Sequence, residues 1–280
     1  PQNQADGLPT PAMPGQGWVD GEGRSFKEPR QRAVVAWNGT RQLLMLEVDK
    51  QSIIGAGSAL NVLPLPGKVI AVREGKRNVY RDTAAAIFLK GATWIGQSPP
   101  RTEDPQIVAQ IGPHHIFVFT ADSEAELVGK VEGYVRKKYQ EKAKPAISME
   151  MRKIVRSYID RGYKHFAFDL IETSPALKRK HTIVYEFESE FLYYPLAISA
   201  VGGQGDTVVS LAVITAAEVT KYRGLRPEQI RATTKVNLTS DELATLDKDL
   251  ARLMEGSKAS GRIWQVQGKL ESFGVDIECK

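Results

Sequence analysis

Hydrophobic and polar positions follow the clearest pattern between residues 113 and 172. A β-branched and aromatic run at 115–120 predicts a buried strand. Two stretches with helical spacing follow, the first opened by a capping box at Ser123 and the second closed by Gly162. Alternating aromatic residues at 164–170 then predict a return to strand. This block therefore predicts two helices that cover a sheet.

Shorter patterns outside this block predict further strands. Asn38-Gly39 stands between two apolar runs and predicts a hairpin with a type I′ turn, in which both central residues have positive φ. Alternation at 182–187 predicts another strand. The continuous apolar run at 207–215 predicts a strand in the middle of a sheet, because both of its faces would be buried.

The last part of the chain carries fewer signals. A capping box opened by Thr239 and a leucine stripe predict one final helix over 240–255. The apolar residues at 262–266 predict an edge strand. We therefore predict that residues 217–280 form a helix-containing extension packed on a core domain of residues 32–216.

Residues 1–31 differ from the rest of the chain in composition. They hold five of the fifteen prolines and five glycines but almost no aliphatic residues, so they cannot bury enough surface to fold alone. The sequence thus predicts an extended N-terminal arm on an α+β core, in which two or three helices cover a mixed or antiparallel sheet. Ten side chains are predicted to be largely buried in that core: Phe117, Phe119, Val131, Tyr134, Ile154, Tyr158, Phe166, Phe168, Val209 and Leu211.

The overall composition narrows the class of protein. With 42% hydrophobic and 25% charged residues, the chain is typical of a globular protein, and no window approaches the roughly 18 apolar residues of a membrane span. The single cysteine, Cys279, excludes an intrachain disulfide, a Cys-rich zinc site and a haem attachment motif. The sequence begins at Pro1 instead of Met, which predicts a processed chain from which a signal segment has been removed.

Histidines are the first candidates for catalysis or metal binding, and the chain has four: His114, His115, His165 and His181. His114 and His115 are neighbours in a predicted strand and therefore point to opposite faces. His165 shares a face with Asp169, but strand geometry separates the two by about 13 Å. Each histidine is accordingly predicted to make a local hydrogen bond instead of a metal or catalytic site.

The other candidate motifs also favour a protein without a catalytic or cofactor-binding site. The glycine turn at 55–57 is not a dinucleotide site, because Leu60 replaces the third glycine and Pro64 interrupts the helix that would bind the phosphates. Glu186, Glu188 and Glu190 lie on one predicted strand face, and we interpret them as a solvated or partner-facing stripe. The sequence predicts no catalytic residue, no cofactor and no metal site, and thus a protein that is not an enzyme.

Basic residues indicate the kind of partner. The formal net charge is +5, but the basic runs are scattered and lack the aromatic interleaving of a nucleic-acid platform, so an acidic protein partner is the preferred interpretation. The predicted partner-binding residues are two aromatic anchors in the arm and two basic clusters: Trp18, Phe26, Arg136, Lys137, Lys138, Lys178, Arg179 and Lys180.

Three segments, 33–39, 62–66 and 190–199, resemble a family of exported bacterial and archaeal proteins that is catalogued only as a domain of unknown function. The likeness covers about residues 32–215 and includes a helix that ends in Gly162-Tyr163 before an aromatic strand. It implies an extracytoplasmic setting, such as the periplasm. It carries no catalytic residue over, because none is established for the family.

Two hypotheses about function follow. The first is a non-catalytic, extracytoplasmic structural or accessory subunit that mediates the assembly of larger protein subunits. Under this hypothesis the chain can also form a homo-oligomer or a filament. The second is a hydrolase or ligand-binding enzyme of unrecognised type. A subunit of the first kind should contact its partner along arm, sheet edges and basic faces, whereas an enzyme should gather several polar side chains in one deep pocket.

Overall fold

The computed structural model describes residues 16–19, 30–48, 57–90, 108–139, 147–173, 181–200, 205–226 and 229–280. In this part of the chain, sixteen strands outnumber five helices. The strands are β1 (Gln16–Val19), β2 (Arg30–Trp37), β3 (Arg41–Val48), β4 (Gly57–Leu65), β5 (Val69–Glu74), β6 (Val108–Ile111), β7 (His114–Thr120), β8 (His165–Thr173), β9 (His181–Glu188), β10 (Leu192–Tyr194), β11 (Asp206–Thr215), β12 (Tyr222–Gly224), β13 (Arg231–Ala232), β14 (Val236–Leu238), β15 (Ala259–Lys269) and β16 (Ile277–Cys279). The helices are α1 (Val79–Phe88), α2 (Glu124–Tyr139), α3 (Met149–Asp160), α4 (Ser240–Leu246) and α5 (Lys248–Leu253).

The strands form two large sheets and one small one. An eight-stranded sheet has the order β13-β15-β11-β2-β3-β9-β5, with β14 also paired to β15. A five-stranded sheet has the order β1-β4-β8-β7-β6, and a three-stranded sheet has the order β10-β16-β12. Among the described pairs, only β2 with β11 is parallel. The run at 207–215 therefore lies inside a sheet, as predicted.

The eight-stranded sheet is buried on both faces, and alternate residues of β2 show how. Val34 and Ala36 belong to a hydrophobic cluster with the apolar residues of α1, α4 and α5. Ala33 and Val35 point the other way, into a cluster shared with residues of the five-stranded sheet such as Leu60. This period of two follows from strand geometry.

The predicted fold class is wrong for this reason. One face of the main sheet is covered by a second sheet and not by helices, so the protein is mainly β, with sheet-on-sheet packing at its centre. The predicted helices α2 and α3 do form, and α2 packs on β7 through Tyr134, whose ring lies 4.5 Å from that of Phe117. They cover part of the smaller of the two large sheets.

The hairpin of β2 and β3 forms as predicted, but the predicted type I′ turn is wrong. Gly39 has a φ of 105°, whereas Asn38 does not adopt the positive φ that this turn requires. The Asn38 side chain instead accepts hydrogen bonds from the backbone nitrogens of Thr40 and Arg41, at 3.1 and 2.9 Å. The side chain thereby stabilises a longer loop.

Two predictions for the last part of the chain are corrected. The single helix over 240–255 is split at Asp247, whose extended backbone, with φ −162°, ends α4 and begins α5. The capping box of Thr239 and Glu242 is confirmed. The strand at 262–266 is not an edge strand, because β15 lies inside the eight-stranded sheet and pairs with β11 over ten residues.

Seven of the ten side chains predicted to be buried are confirmed, and three are only half-buried: Phe119, Tyr134 and Ile154. These three lie at the edge of the shared core, where α2 and α3 face solvent on their outer sides. Within the predicted arm, Gln16–Val19 forms β1, an edge strand paired antiparallel with β4. Most of residues 1–31 lie outside the described residues.

Candidate functional site

The structure describes the side chains of only two of the eight predicted partner-binding residues. Arg136 and Lys137 are exposed on α2. Lys138 lies in the same helix and Trp18 in β1, but their side chains lie outside the described residues. Phe26 and the cluster 178–180 also lie outside them. The described residues therefore do not bring the predicted set together.

The histidines make local contacts with neighbouring elements. Asp169 pairs with His114 and not with His165: its Oδ2 lies 2.8 Å from His114 Nδ1, and both side chains are buried. The two residues lie on neighbouring strands, β7 and β8, whose register brings them together. His115 contacts the Tyr134 hydroxyl at 2.6 Å through its Nε2 atom.

The single cysteine is in a protected position. Cys279 is 1% exposed in β16, between β10 and β12. Burial, with a smaller contribution from the neighbouring Glu278 carboxylate, raises the pKa of its thiol to about 12. The thiol is therefore protonated at neutral pH and is a poor nucleophile.

The predicted stripe of three glutamates does not form. Glu186 is buried and pairs with Arg252 of α5 and, at 3.6 Å, with Arg73 of β5. Glu188 is exposed at the end of β9, and Glu190 is exposed beyond it. Glu186 therefore links the helices to the sheet, while the other two face solvent.

A second buried carboxylate, Asp276, joins α3 to the end of the chain. It accepts hydrogen bonds from the Tyr158 hydroxyl at 2.8 Å, from Arg161 at 2.9 Å and from the backbone nitrogen of Ala197 at 2.8 Å. Burial, followed by the Asp276 charge, raises the pKa of Tyr158 far above its usual range, so this phenol remains a hydrogen-bond donor. The network is satisfied and stabilises the fold.

An open cleft of about 590 Å³ lies where three chain turns meet at one end of the large sheets. The turns are the β2–β3 hairpin loop, the β4–β5 connection and the segment that follows β9. Its volume is within the range of ligand sites. The lining residues are Gly39, Thr40, Arg41, Pro66, Gly67, Glu188, Ser189, Glu190 and Phe191.

Hydrogen bonds hold these turns in place. The Ser189 nitrogen donates to the Thr40 carbonyl at 2.9 Å, and the Ser189 carbonyl accepts from Trp37 Nε1 at 2.9 Å. The Glu188 nitrogen donates to the Lys68 carbonyl at 3.0 Å. All three turns are thus fixed to one another before any ligand binds.

Gly67 allows the β4–β5 connection to lie close against the end of β9. A Cβ atom at this position would lie 2.2 Å from the Glu188 carbonyl oxygen, which is backbone and cannot move aside cheaply. Only glycine therefore lets the β4–β5 connection close against the end of β9. The preceding Pro66 limits the backbone freedom of the same turn.

The cleft carries both signs of charge. Arg41 and Glu188 are opposite each other on β3 and β9, and both are exposed. Glu190 is 90% exposed as a side chain, with Lys280 Nζ at 3.9 Å. An arrangement of this kind can bind a segment that has charged side chains and free backbone groups.

Sequence reasoning did not find this cleft, although a signal was present. Three segments that the sequence analysis singled out each contribute to it: 33–39 through Gly39, 62–66 through Pro66, and 190–199 through Glu190 and Phe191. Their meeting depends on the order of strands in the sheets, which the sequence does not reveal.

Comparisons with known proteins give only distant likenesses. No family model matches the chain, and no curated protein matches it. The crystal structure of baculovirus P35 is 10% identical in sequence, with a TM-score of 0.45, and the match covers 89% of this chain and 92% of that one. A caspase-8/P35 complex is 8% identical over 90% of each chain, with a TM-score of 0.38. TM-scores below 0.5 establish neither a common fold nor a common function.

Two further findings concern the described residues only. None of their helices is long and apolar enough to cross a membrane. Their histidine, cysteine and acidic side chains also form no group of three or more arranged to hold a metal ion.

Proposed function

We propose that this chain is a non-catalytic accessory subunit of an extracytoplasmic protein assembly, and that it binds a segment of a larger partner protein in the cleft between its three turns. The observation that carries the proposal is the cleft itself: an open site with both signs of charge, built on turns that the sheets hold in place. Loops on a rigid scaffold are where proteins most often place binding residues.

The form of the cleft favours a polypeptide partner. It is open and lined by short turns, so an extended segment can cross it without being enclosed. Arg41 offers a donor for carboxylates, and Glu188 and Glu190 offer acceptors for lysine or arginine side chains. Phe191, half-buried at the wall, adds an apolar contact of the type that anchors binding segments.

The chemistry of the described titratable groups supports a binding role. His114, Glu186 and Asp276 are each engaged in a buried pair or network that joins elements of the fold. The Cys279 thiol is buried and protonated. These groups stabilise the structure, and the exposed charged groups of the cleft remain for recognition.

The test is a charge reversal at the cleft with a matched control. Glu190→Arg places a positive charge where the partner's cation would bind, while Glu255→Arg makes the same change at an exposed site beyond α5. The native protein is first purified with its partner, and the partner is identified by mass spectrometry. We then expect Glu190→Arg to weaken the affinity for that partner about tenfold or more, the effect of about 1.4 kcal/mol, and Glu255→Arg to leave it unchanged.

Two results would contradict the proposal. One is equal affinity of the Glu190→Arg and Glu255→Arg proteins for the partner, which would place the contact elsewhere. The other is a catalytic activity of the purified protein that Glu190→Arg abolishes, which would make the cleft an active site.

A further inference from the structure

The β2–β3 hairpin loop contains the only asparagine of the chain that is followed by glycine. This asparagine is Asn38, and the residues after the other four are Gln4, Val62, Val79 and Leu238. The neighbour matters because the backbone nitrogen that follows an asparagine can attack the Cγ atom of the asparagine side chain. Glycine offers the least hindrance to that attack, since it has no Cβ atom. The sequence around Asn38 therefore favours loss of its side-chain amide.

The loop surrounds the amide oxygen of Asn38 with donors. Asn38 Oδ1 accepts hydrogen bonds from the backbone nitrogens of Thr40 and Arg41, at 3.1 and 2.9 Å, and lies 3.3 Å from the Thr40 hydroxyl. These groups withdraw electron density from the carbonyl and stabilise the negative charge that forms on its oxygen when Cγ is attacked. The loop thus activates the Asn38 side chain as well as holding it.

The attacking nitrogen, that of Gly39, is accessible. Gly39 is exposed, and a Cβ atom added to it would meet nothing within 4 Å. No group in the described part of the chain accepts a hydrogen bond from the Gly39 nitrogen. A solvent base can therefore reach and remove its proton.

The other asparagines lie in less favourable places. Asn61 and Asn237 belong to the paired strands β4 and β14, and Asn78 precedes the first turn of α1. Each of these three is followed by a residue whose apolar side chain is buried in the core. An attack by the next nitrogen would have to displace that side chain. Asn3 lies outside the described residues.

We propose that Asn38 is a site of spontaneous deamidation, a covalent modification that changes the charge and shape of the cleft wall. The Gly39 nitrogen loses its proton to a solvent base and forms a bond to Asn38 Cγ. The bond from Cγ to Nδ2 then breaks, and ammonia leaves with a proton from water. Water opens the resulting cyclic imide at Cγ to give aspartate, or at the backbone carbonyl carbon to give isoaspartate. The net reaction consumes water, releases ammonia and needs no oxidant or reductant.

Both products lose the contact between the loop and α5. The Asn38 Nδ2 atom donates a hydrogen bond to the Leu253 carbonyl at 3.0 Å, at the C-terminal end of that helix. A carboxylate has no proton to donate there, and its negative charge is unfavourable beside carbonyl oxygens at a helix C-terminus. Deamidation therefore weakens the attachment of the loop to the helices.

The modification also reaches the cleft. Gly39, Thr40 and Arg41 follow the reacting residue directly and line the cleft, and the Thr40 carbonyl accepts a hydrogen bond from the Ser189 nitrogen at 2.9 Å. Isoaspartate places an additional carbon atom in the backbone and so displaces these residues and the segment bound to them. The inference does not rest on the proposed function, because the modification is detected without a partner.

The experiment ages the folded wild-type protein at mildly alkaline pH and maps its peptides by mass after digestion in acid. We expect the peptide that contains Asn38 to gain the mass difference between an amide and an acid, and part of it to be methylated by an isoaspartyl methyltransferase. The peptides with the other asparagines should keep their mass. Asn38→Gln is the control, since its longer side chain forms the cyclic imide much more slowly, and the corresponding peptide should remain unmethylated.

Two further measurements test the structural consequence. Hydrogen exchange at 38–41 and 188–191 should be faster in the aged protein than in the fresh protein. Asn38→Asp reproduces the charge of the product without the longer backbone, and it should lower the melting temperature by roughly 2–4 °C, the effect of one lost hydrogen bond in a chain of this size.

Two results would overturn the inference. One is an Asn38 peptide that stays unmodified in the folded protein, with the same chain unfolded in urea as the positive control for the assay. The other is an isoaspartate-containing protein whose hydrogen exchange at 38–41 and 188–191 equals that of the fresh protein, because the modification would then leave the cleft wall unchanged.

Discussion

At the scale of single residues, periodicity identifies what is buried but not what it contacts. Phe166 and Phe168 alternate along β8 and are both buried as predicted. The partner of Asp169, by contrast, depends on the register of two strands that lie 55 residues apart at this pair. The polar side chain of Gln42 is completely buried. This is possible because its amide donates a hydrogen bond to the Tyr193 carbonyl and accepts one from the Tyr193 nitrogen, 151 residues away. No local pattern contains that information.

The first prediction tests the assignment of one face. Phe168 is 1% exposed and stacks on Phe117, with ring centroids 5.5 Å apart. Phe168→Ala should destabilise the protein by about 3–5 kcal/mol, because it leaves a cavity in a packed core. Phe88→Ala, at a site that is 65% exposed, is the control and should change the melting temperature little. Equal melting temperatures of the two variants would refute the assigned packing of β8.

At the scale of elements, α2, α3 and the start of α4 were predictable, whereas α1, the break between α4 and α5 and the irregular strands were not. The capping residues Ser148 and Thr239 mark the starts of α3 and α4 by the hydrogen bonds they accept. β4 escaped recognition as an inner strand because it contains Pro64, which lacks the backbone donor of a regular strand. β15 was placed at an edge because its first residues, Ala259 to Gly261, are small and give no hydrophobic alternation. The cleft was not predicted because its walls are three turns that lie far apart in the sequence.

The second prediction concerns Asp247, the residue that divides α4 from α5. Its side chain caps α5 by accepting a hydrogen bond from the Asp249 nitrogen at 2.8 Å. Burial raises the pKa of this carboxyl above its ordinary value, although that hydrogen bond acts in the opposite direction. The folded state therefore holds the proton of Asp247 more tightly than the unfolded state. The free energy of unfolding accordingly decreases as the pH rises through the pKa that Asp247 has in the folded protein.

Asn caps a helix as well as Asp but carries no charge. We therefore expect Asp247→Asn to be more stable than the wild type at pH 7, with an advantage that shrinks as the pH falls toward 4. Asp247→Ala removes the cap and should lose about 1 kcal/mol. Chemical unfolding at several pH values provides the measurement, and an Asn variant that is less stable than the wild type at pH 7 would show that the charge of Asp247 is favourable.

At the scale of the whole molecule, the order of strands differs most from the order of the sequence. β2, near the beginning of the chain, lies between β3 and β11, and β15, near its end, completes the same sheet. The pairing of β2 with β11 joins residues more than 170 positions apart, and the order of strands decides which turns meet at the cleft. The sequence predicts most of the pieces, but several of their neighbours are set by packing that only the complete chain provides.

The last prediction follows from the position of β15. Residues 217–280 contribute β15, which pairs with β11 from Asp206 to Thr215, and the leucines of α4 and α5 that cover Val34 and Ala36. A chain that ends at residue 216 would expose both a sheet edge and an apolar sheet face, which no longer hold a stable core. We therefore expect this truncated chain to aggregate or to lack a cooperative thermal transition.

Removing residues 1–25 is the control for this truncation. Among the described residues it removes only the three β1–β4 pairs, and the melting temperature should remain close to that of the full chain. Adding the separate fragment 217–280 should restore a cooperative transition to the truncated chain, whereas a truncated chain that melts like the full protein would mean that these residues are an appended extension and not a part of the core.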